Sequence, residues 1–376
     1  MSFEKIKKNF GFGLMRLPMN GNEVDTEETC KMVDCFMENG FNYFDTAHGY
    51  LQGLSEKAVK TCLSSRYPRE SYVLTTKLSN PLFSKTEDIR PLFEQQLADC
   101  GVDYFDFYLM HAQDKGLFER YKKLHAYETA LELLAEGKFK HFGISFHDKA
   151  EVLEQILTEY PQIEVVQIQL NYVDYEDPAV DSRRVYEVCR KFGKPVIVME
   201  PVKGGRLVNL PQEADEVFDR IRTGSNASYA LRYAAGFEGV MMTLSGMSDL
   251  AMMQDNVSFM REFKPLNEEE QRAVKQVCEI LKKQDMIPCT ACRYCTDGCP
   301  KQILIPDLFA CLNAKKTYKD WNSDYYYSIH TKGHGRAADC IGCGKCEAAC
   351  PQHLEIRALL KAVSAEFDKR DLDIED

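Results

Sequence analysis

Short apolar runs recur through the first 265 positions, separated by stretches with helical periodicity. Phe10–Leu17, Phe41–Asp45, Tyr72–Lys77, Tyr104–His111, His141–Ser145, Val165–Asn171, Pro195–Glu200 and Gly239–Leu244 are each nearly continuous in hydrophobicity. That pattern suits parallel strands covered on both faces, where polar alternation disappears. The segments between them carry helix-start signals. Asp25 stands three residues before Glu28, Asp148 three before Glu151, and Asp177 precedes Pro178 at a first helical position. Ala150, Val152, Leu153, Ile156 and Leu157 form one apolar helical face. Eight strand–helix units in about 260 residues predict an α/β fold of the (β/α)8 TIM-barrel type. A doubly wound open sheet is the competitor, but no G-x-G-x-x-G follows the first strand.

The pattern changes after Pro265. A helix start at Asn267–Glu270 marks a boundary, giving a barrel over 1–265 and a second domain over 266–376. Cysteine spacing decides what that second domain is. Cys289, Cys292, Cys295 and Cys299-Pro300 form C-x2-C-x2-C-x3-C-P, and Cys340, Cys343, Cys346 and Cys350-Pro351 repeat it. This is the run of bacterial two-cluster ferredoxins, in which the fourth cysteine of each run ligates the other cluster. The expected ligand sets are therefore Cys289, Cys292 and Cys295 with Cys350, and Cys340, Cys343 and Cys346 with Cys299. Zinc also takes four thiolates, but its sites pair two CxxC knuckles without a third cysteine three residues on. Two [4Fe–4S] clusters are the reading.

Positions 301–339 separate the runs by far more than the loop of a minimal ferredoxin. Ile305–Asn313 and Leu354–Phe367 read as helices, so the tail is a helical, ferredoxin-like two-cluster module. Tyr318–Gly335, with Trp321, Tyr325, Tyr326, Tyr327, His330 and His334, reads as a packed interdomain loop or as a lid over the barrel mouth.

Composition narrows the partners. The chain has 376 residues and a 44% hydrophobic fraction, enough for a full core. Its 47 basic and 58 acidic residues give a net charge of −11, which argues against nucleic acid. No apolar run reaches about 18 residues, so no membrane span is expected, and MSFEKIKKNF lacks a signal core. Cysteines 30, 35, 62, 100, 189, 278 and 311 lie mostly in apolar helical patterns and read as buried reduced thiols. A cytoplasmic setting follows. Oligomeric state is left open.

Active sites of such barrels lie at the C-terminal ends of the strands. Asp45, Lys77 and His111 end three consecutive apolar runs, and Tyr50 follows five residues after Asp45. Singly, these would read as a helix cap, a solvated charge and a core histidine. At adjacent strand ends they converge on one pocket.

The stretches FDTAHGY, VLTTKL and DFYLMH resemble motifs of the aldo/keto reductase family over roughly residues 1–262. The two cysteine runs extend the resemblance to its iron–sulfur-bearing branch over the whole chain. The resemblance implies a catalytic tetrad of Asp45, Tyr50, Lys77 and His111, acting on a small-molecule carbonyl or alcohol. Tyr50 would donate the proton, with a cationic Lys77 lowering its pKa, Asp45 holding Lys77 charged, and His111 binding the substrate oxygen. Nicotinamide contacts would fall on Ser145 and Gln167, and a phosphate segment on Gly246, Ser248, Gln254 and Asn256. The family's asparagine after the serine is Phe146 here, and its stacking aromatic near strand seven is replaced by Met199-Glu200. Asp249 stands where NADP-binding members carry Lys or Arg, and an acid there repels a 2′-phosphate. Lys203 and Arg206 are alternative cations. NADH is thus favoured over NADPH. Flavin stays open because clusters pass single electrons and nicotinamide passes two. An electron-transfer protein is a further partner. The competing readings are clusters that only brace the fold or dock a partner, and a one-electron reductase on a barrel scaffold.

Overall fold

All eight apolar runs are strands, and they close on themselves. The structure is a computed structural model that describes residues 3–177, 180–283, 286–318 and 323–368. The strands are β1 (Phe10–Gly13), β2 (Tyr43–Asp45), β3 (Val73–Leu78), β4 (Phe105–Gln113), β5 (Phe139–Phe146), β6 (Val165–Gln169), β7 (Val196–Met199) and β8 (Val240–Gly246). Each pairs in parallel with the next, and β8 returns to β1 from Phe10–Thr243 to Gly13–Gly246. Tyr43, Val73, Phe107, Leu109, Val165, Ile197, Met242 and Leu244 fill the interior as one cluster. Gly143 makes room for them, since a Cβ there would lie 2.6 Å from Leu109 and Val165 side chains. A larger apolar cluster, including Phe36, Phe93 and Leu153, seals the strands under the helices.

Several expected boundaries move for identifiable reasons. The first strand stops at Gly13, and the chain turns through Leu14–Arg16 into a small hairpin of Met19–Asn20 with Glu23–Val24. The fourth continues to Gln113 through a bulge at left-handed Ala112 (φ 53°). Asp25 caps the helix Thr26–Glu38, accepting from Glu28 N at 3.0 Å. Asp148 does not cap Ala150–Glu159. Its carboxylate accepts from Lys115 N and Lys149 N, tying the loops after β4 and β5 together, and Asp181 accepts from Ala150 N instead. Pro178 lies outside the described residues, and the helix there runs over Ser182–Lys191.

The chain divides into two compact units, Met1–Val202 with Ile221–Val274, and Lys203–Arg220 with Lys275–Asp376. The stretch after β7 thus belongs to the cysteine-bearing unit. There Gly204 (φ 64°) lies so close to Thr290 that a Cβ would come within 2.4 Å of its carbonyl oxygen, and buried Lys203 donates to Gln352 Oε1 at 3.3 Å. The unit's core is helical. Helices Ile305–Tyr318 and Ile356–Phe367 contribute Leu308, Phe309, Leu312, Leu360, Val363 and Phe367. The first outruns its expected end at Asn313. Helix Ser323–Thr331 turns Tyr327 into this core, stacked on Phe367 at 4.5 Å. Trp321 lies outside the described residues.

Candidate active site and cluster cavities

The C-terminal ends of β2, β3 and β4 bring four of the sequence-selected residues together. Asp45 ends β2, and Lys77 and His111 lie near the ends of β3 and β4. Lys77 is fully buried and donates to Asp45 Oδ1 at 2.6 Å and to Thr46 O at 2.8 Å. Its ammonium lies 4.9 Å from the centre of the Tyr50 ring. That ring meets His111 edge-on at 5.8 Å. Tyr50 begins a turn whose next two residues, Leu51 (φ 50°) and Gln52 (φ 56°), are both left-handed. Ala112 after His111 and Glu200 after Met199 are left-handed too. Such strain costs about 1–3 kcal/mol per residue and clusters at functional sites.

Burial governs ionisation here. It pushes Lys77 down and Asp45 up, and their mutual contact opposes both shifts. His111 is driven well below its ordinary value by burial, helped by Lys77 and His147, so its ring is neutral. The expectation that Lys77 lowers Tyr50 is not met. Burial raises the phenol well above its usual value, with Asp45 and Glu200 adding to the rise. Burial of the phenol is the largest cause, and the Lys77 ammonium 4.9 Å from the ring does not overturn it.

Sequence reasoning missed two supporting residues. Ser79 Oγ lies 2.6 Å from His111 Nδ1. Its signal is its place two residues past Lys77, where strand alternation returns to the same side. Glu56, fully buried, accepts from Thr76 Oγ1 (2.7 Å) and Gln96 Nε2 (3.0 Å) and meets His48 Nδ1 at 2.5 Å. A lone acid among Leu54, Ala58 and Val59 marks it.

The residues selected for a cofactor are more dispersed. Ser145 and Gln167 are paired across β5 and β6. Gln167 Nε2 donates to Asp45 Oδ2 at 3.2 Å, and Ser145 Oγ faces Met199 Sδ at 4.0 Å. Phe146 is buried. At the end of β8, Gly246 lies against the Arg16 side chain and Ser248 donates to Arg16 O. Asn256 turns inward to Ser245 Oγ, and Gln254 is exposed. Two carboxylates already serve the helix Leu250–Met260. Asp249 accepts from Met252 N at 2.7 Å, and Glu28 from Leu250 N at 2.9 Å. Ser145, Gln167 and Gly246 thus fit a nicotinamide dinucleotide at the strand ends. The Leu250 and Met252 amides at the start of that helix are thus already bonded to carboxylates.

In the second unit the cysteines sort across the two runs. Cys289, Cys292, Cys295 and Cys350 line one cavity, with Thr290, Arg293 and Gln352. Cys299, Cys340, Cys343 and Cys346 line the other, with Lys301, Lys345 and Arg357. The loops repeat in backbone as well. Left-handed residues occur at the matching positions Ala291 and Gly342, Arg293 and Gly344, and Gln302 and His353. Successive turns of this kind aim amides inward, and Ala291 N donates to Cys289 Sγ at 3.4 Å. Four convergent sulfurs with inward amides are a donor set that fits a four-iron cluster.

A model of the aldo/keto reductase family matches residues 9–279, and one of the 4Fe-4S dicluster domain matches residues 288–354. The chain belongs to the aldo/keto reductase family, and it is an oxidoreductase. It is similar to the uncharacterized oxidoreductase YtbE of Bacillus subtilis, 25% identical over 208 residues (55% of this chain, 68% of that one). It is 28% identical over 186 residues to an NADH-specific methylglyoxal reductase of Escherichia coli, covering 45% of this chain and only 54% of that relative. It is also 23% identical over 290 residues to L-galactose dehydrogenase of Arabidopsis thaliana, covering 72% and 90%. The fold matches a holo-form aldo-keto reductase from Bacillus halodurans with a TM-score of 0.59 at 24% identity, over 72% of this chain and 92% of that one. It matches one from Klebsiella pneumoniae in complex with NADPH with a TM-score of 0.57 at 19% identity, over 72% and 95%. Among the described residues no helix is long and apolar enough to cross a membrane.

Proposed function

We propose that residues 1–265 reduce a small carbonyl compound, or oxidise the alcohol, with a nicotinamide, and that residues 266–376 carry two [4Fe–4S] clusters that relay electrons to or from a partner protein. When bound, the nicotinamide supplies hydride and the clusters single electrons. Tyr50 holds the proton that passes from its hydroxyl to the carbonyl oxygen. Its raised pKa keeps that proton in place until an alkoxide, a stronger base than phenolate, begins to form. His111, neutral and oriented by Ser79, binds the same oxygen. Lys77, anchored by Asp45, brings positive charge to the Tyr50 ring and offsets part of the charge left on it. The observation that carries this reading is the edge contact of Tyr50 with His111 beside the buried Lys77–Asp45 pair. Tyr50→Phe should lower carbonyl turnover roughly 10²-fold, the scale of a lost general acid, with iron content unchanged. Unchanged turnover would remove Tyr50 as the donor.

NADH is the favoured nicotinamide. Glu28 and Asp249 place two carboxylates on the amides that begin helix Leu250–Met260, and the 2′-phosphate of NADPH would meet both. The NADH-specific relative is consistent with that choice. Fluorescence titration tests it. A tenfold preference for NADPH, about 1.4 kcal/mol, overturns the choice. Flavin released from anaerobically purified protein, with neither nicotinamide binding, replaces this reading by a one-electron reductase.

A further inference from the structure

Two cysteines outside the cluster runs approach each other closely. Cys30 Sγ lies 2.7 Å from Cys62 Sγ, against about 2.05 Å in a disulfide bond. Cys30 sits in the second turn of helix Thr26–Glu38, and Cys62 in the π turn Lys60–Ser64 that prolongs helix Leu54–Val59. A π turn re-aims the side chains within it and is frequent at functional sites. Arg66 braces both backbones, donating to Cys30 O (3.4 Å) and Cys62 O (3.2 Å) from one nitrogen and to Asp34 (2.8 Å) from the other. Burial is unequal, with Cys62 buried and Cys30 half-buried. Cys30 is therefore the more exposed of the pair, with the Cys62 sulfur in contact with its own.

We propose that Cys30 and Cys62 form a reversible dithiol–disulfide site whose oxidant is a low-molecular-weight disulfide of the glutathione type. The Cys30 thiolate attacks one sulfur of that disulfide, the S–S bond breaks, and one small thiol leaves. The Cys62 sulfur then attacks Cys30 Sγ, closing the protein disulfide and releasing the second small thiol. Two protein thiols are oxidised, one small disulfide is reduced to two thiols, and the two protons pass to the leaving sulfurs. The division of labour follows from placement. Burial and the bond to Cys30 hold the Cys62 thiol well above its usual pKa, which disfavours it as the first nucleophile and leaves that attack to the more exposed Cys30. The segment between the two cysteines carries Asp45, His48 and Tyr50. Oxidation closes that segment into a loop fastened behind the strand end that presents them.

The test uses the full chain with its clusters, kept anaerobic, exposed to excess oxidised glutathione, alkylated and mapped by mass spectrometry. The expected product is a Cys30–Cys62 linked peptide, with the loss of two alkylatable thiols and their return on treatment with dithiothreitol. Cys62→Ser should instead trap glutathione on Cys30, because nothing behind it resolves the mixed disulfide. Wild-type protein whose Cys30 and Cys62 both remain alkylatable overturns the proposal, as does a linked peptide joining either of them to another cysteine. Both readouts come from the wild-type chain, so the proposal stays falsifiable if the variant fails to fold.

Discussion

The barrel site and the cysteine cavities solve the burial of polar atoms in opposite ways. At the ends of β2, β3 and β4 the chain supplies its own partners. Lys77 is held by Asp45 and Thr46, Asp45 also by Gln167, His111 by Ser79, and Glu56 by Thr76, Gln96 and His48. In the second unit, sulfurs from both runs converge on shared cavities and face one another. Like-charged thiolates at such spacing repel, and burial, joined by neighbouring cysteines, raises Cys295 and Cys346. The first site is complete as polypeptide. The second is completed by iron, which converts mutual repulsion into ligation, so metal binding there is also folding energy. Removing iron should therefore loosen the tail while leaving the barrel intact.

The largest expected effect tests the tail's half of this contrast. Cys350→Ser should remove roughly half of the iron, since each ligand set spans both runs. The protein should then alkylate at Cys289, Cys292 and Cys295 while Cys340, Cys343 and Cys346 stay protected. Cys299→Ser should give the reverse pattern. Exposure of the mutated run's own cysteines instead would mean that each run binds its own cluster.

Next comes the barrel's self-sufficiency. Lys77→Met leaves Asp45 buried without its cation, a change that costs about 3–5 kcal/mol when a buried pair is broken. Adding Asp45→Asn should restore most of that loss, because the remaining groups are neutral and Gln167 still reaches the side chain. Denaturant midpoints of the two variants decide it. A single variant as stable as wild type would show that Asp45 finds other support.

The same contrast explains what could be read from the sequence. The eight strands were legible because parallel strands buried on both faces are apolar throughout, and the cysteine runs because their spacing is itself the geometry of a cluster loop. Ends were less legible. Leu14 leaves the first strand for a turn, and Asp148 spends its carboxylate on loop amides, since both positions answer to neighbours distant in sequence. Residues 203–220 group with the tail through contacts such as Gly204 on Thr290 and Lys203 on Gln352, which no local pattern announces. In the site, Asp45, Lys77 and His111 stood out as ionisable groups ending apolar runs. Ser79 and Glu56 are second partners, visible only once the strands are side by side. The direction of the Tyr50 shift follows from the burial of its phenol, which residue types alone do not show.

The smallest expected effects come from two histidines of the barrel, which carry opposite signs. His48 is raised above its ordinary value, chiefly by its bond to Glu56. Its contribution to stability is thus full below the unfolded value of about 6.5 and fades as pH rises through the higher folded value. His111 is lowered, chiefly by burial, so the unfolded chain takes up a proton more readily than the fold does. Its contribution is full above about pH 6.5 and is lost as pH falls below that. His48→Gln should therefore cost on the order of 1 kcal/mol at pH 5.5 and less at pH 8.5. His111→Gln should flatten the acid-side decline of the wild-type curve. Urea midpoints across this range, measured on the iron-loaded protein so that the tail is constant, separate the two. A His48→Gln loss that is larger at pH 8.5 than at pH 5.5 would show that His48 is neutral in the fold and that its bond to Glu56 is an uncharged one.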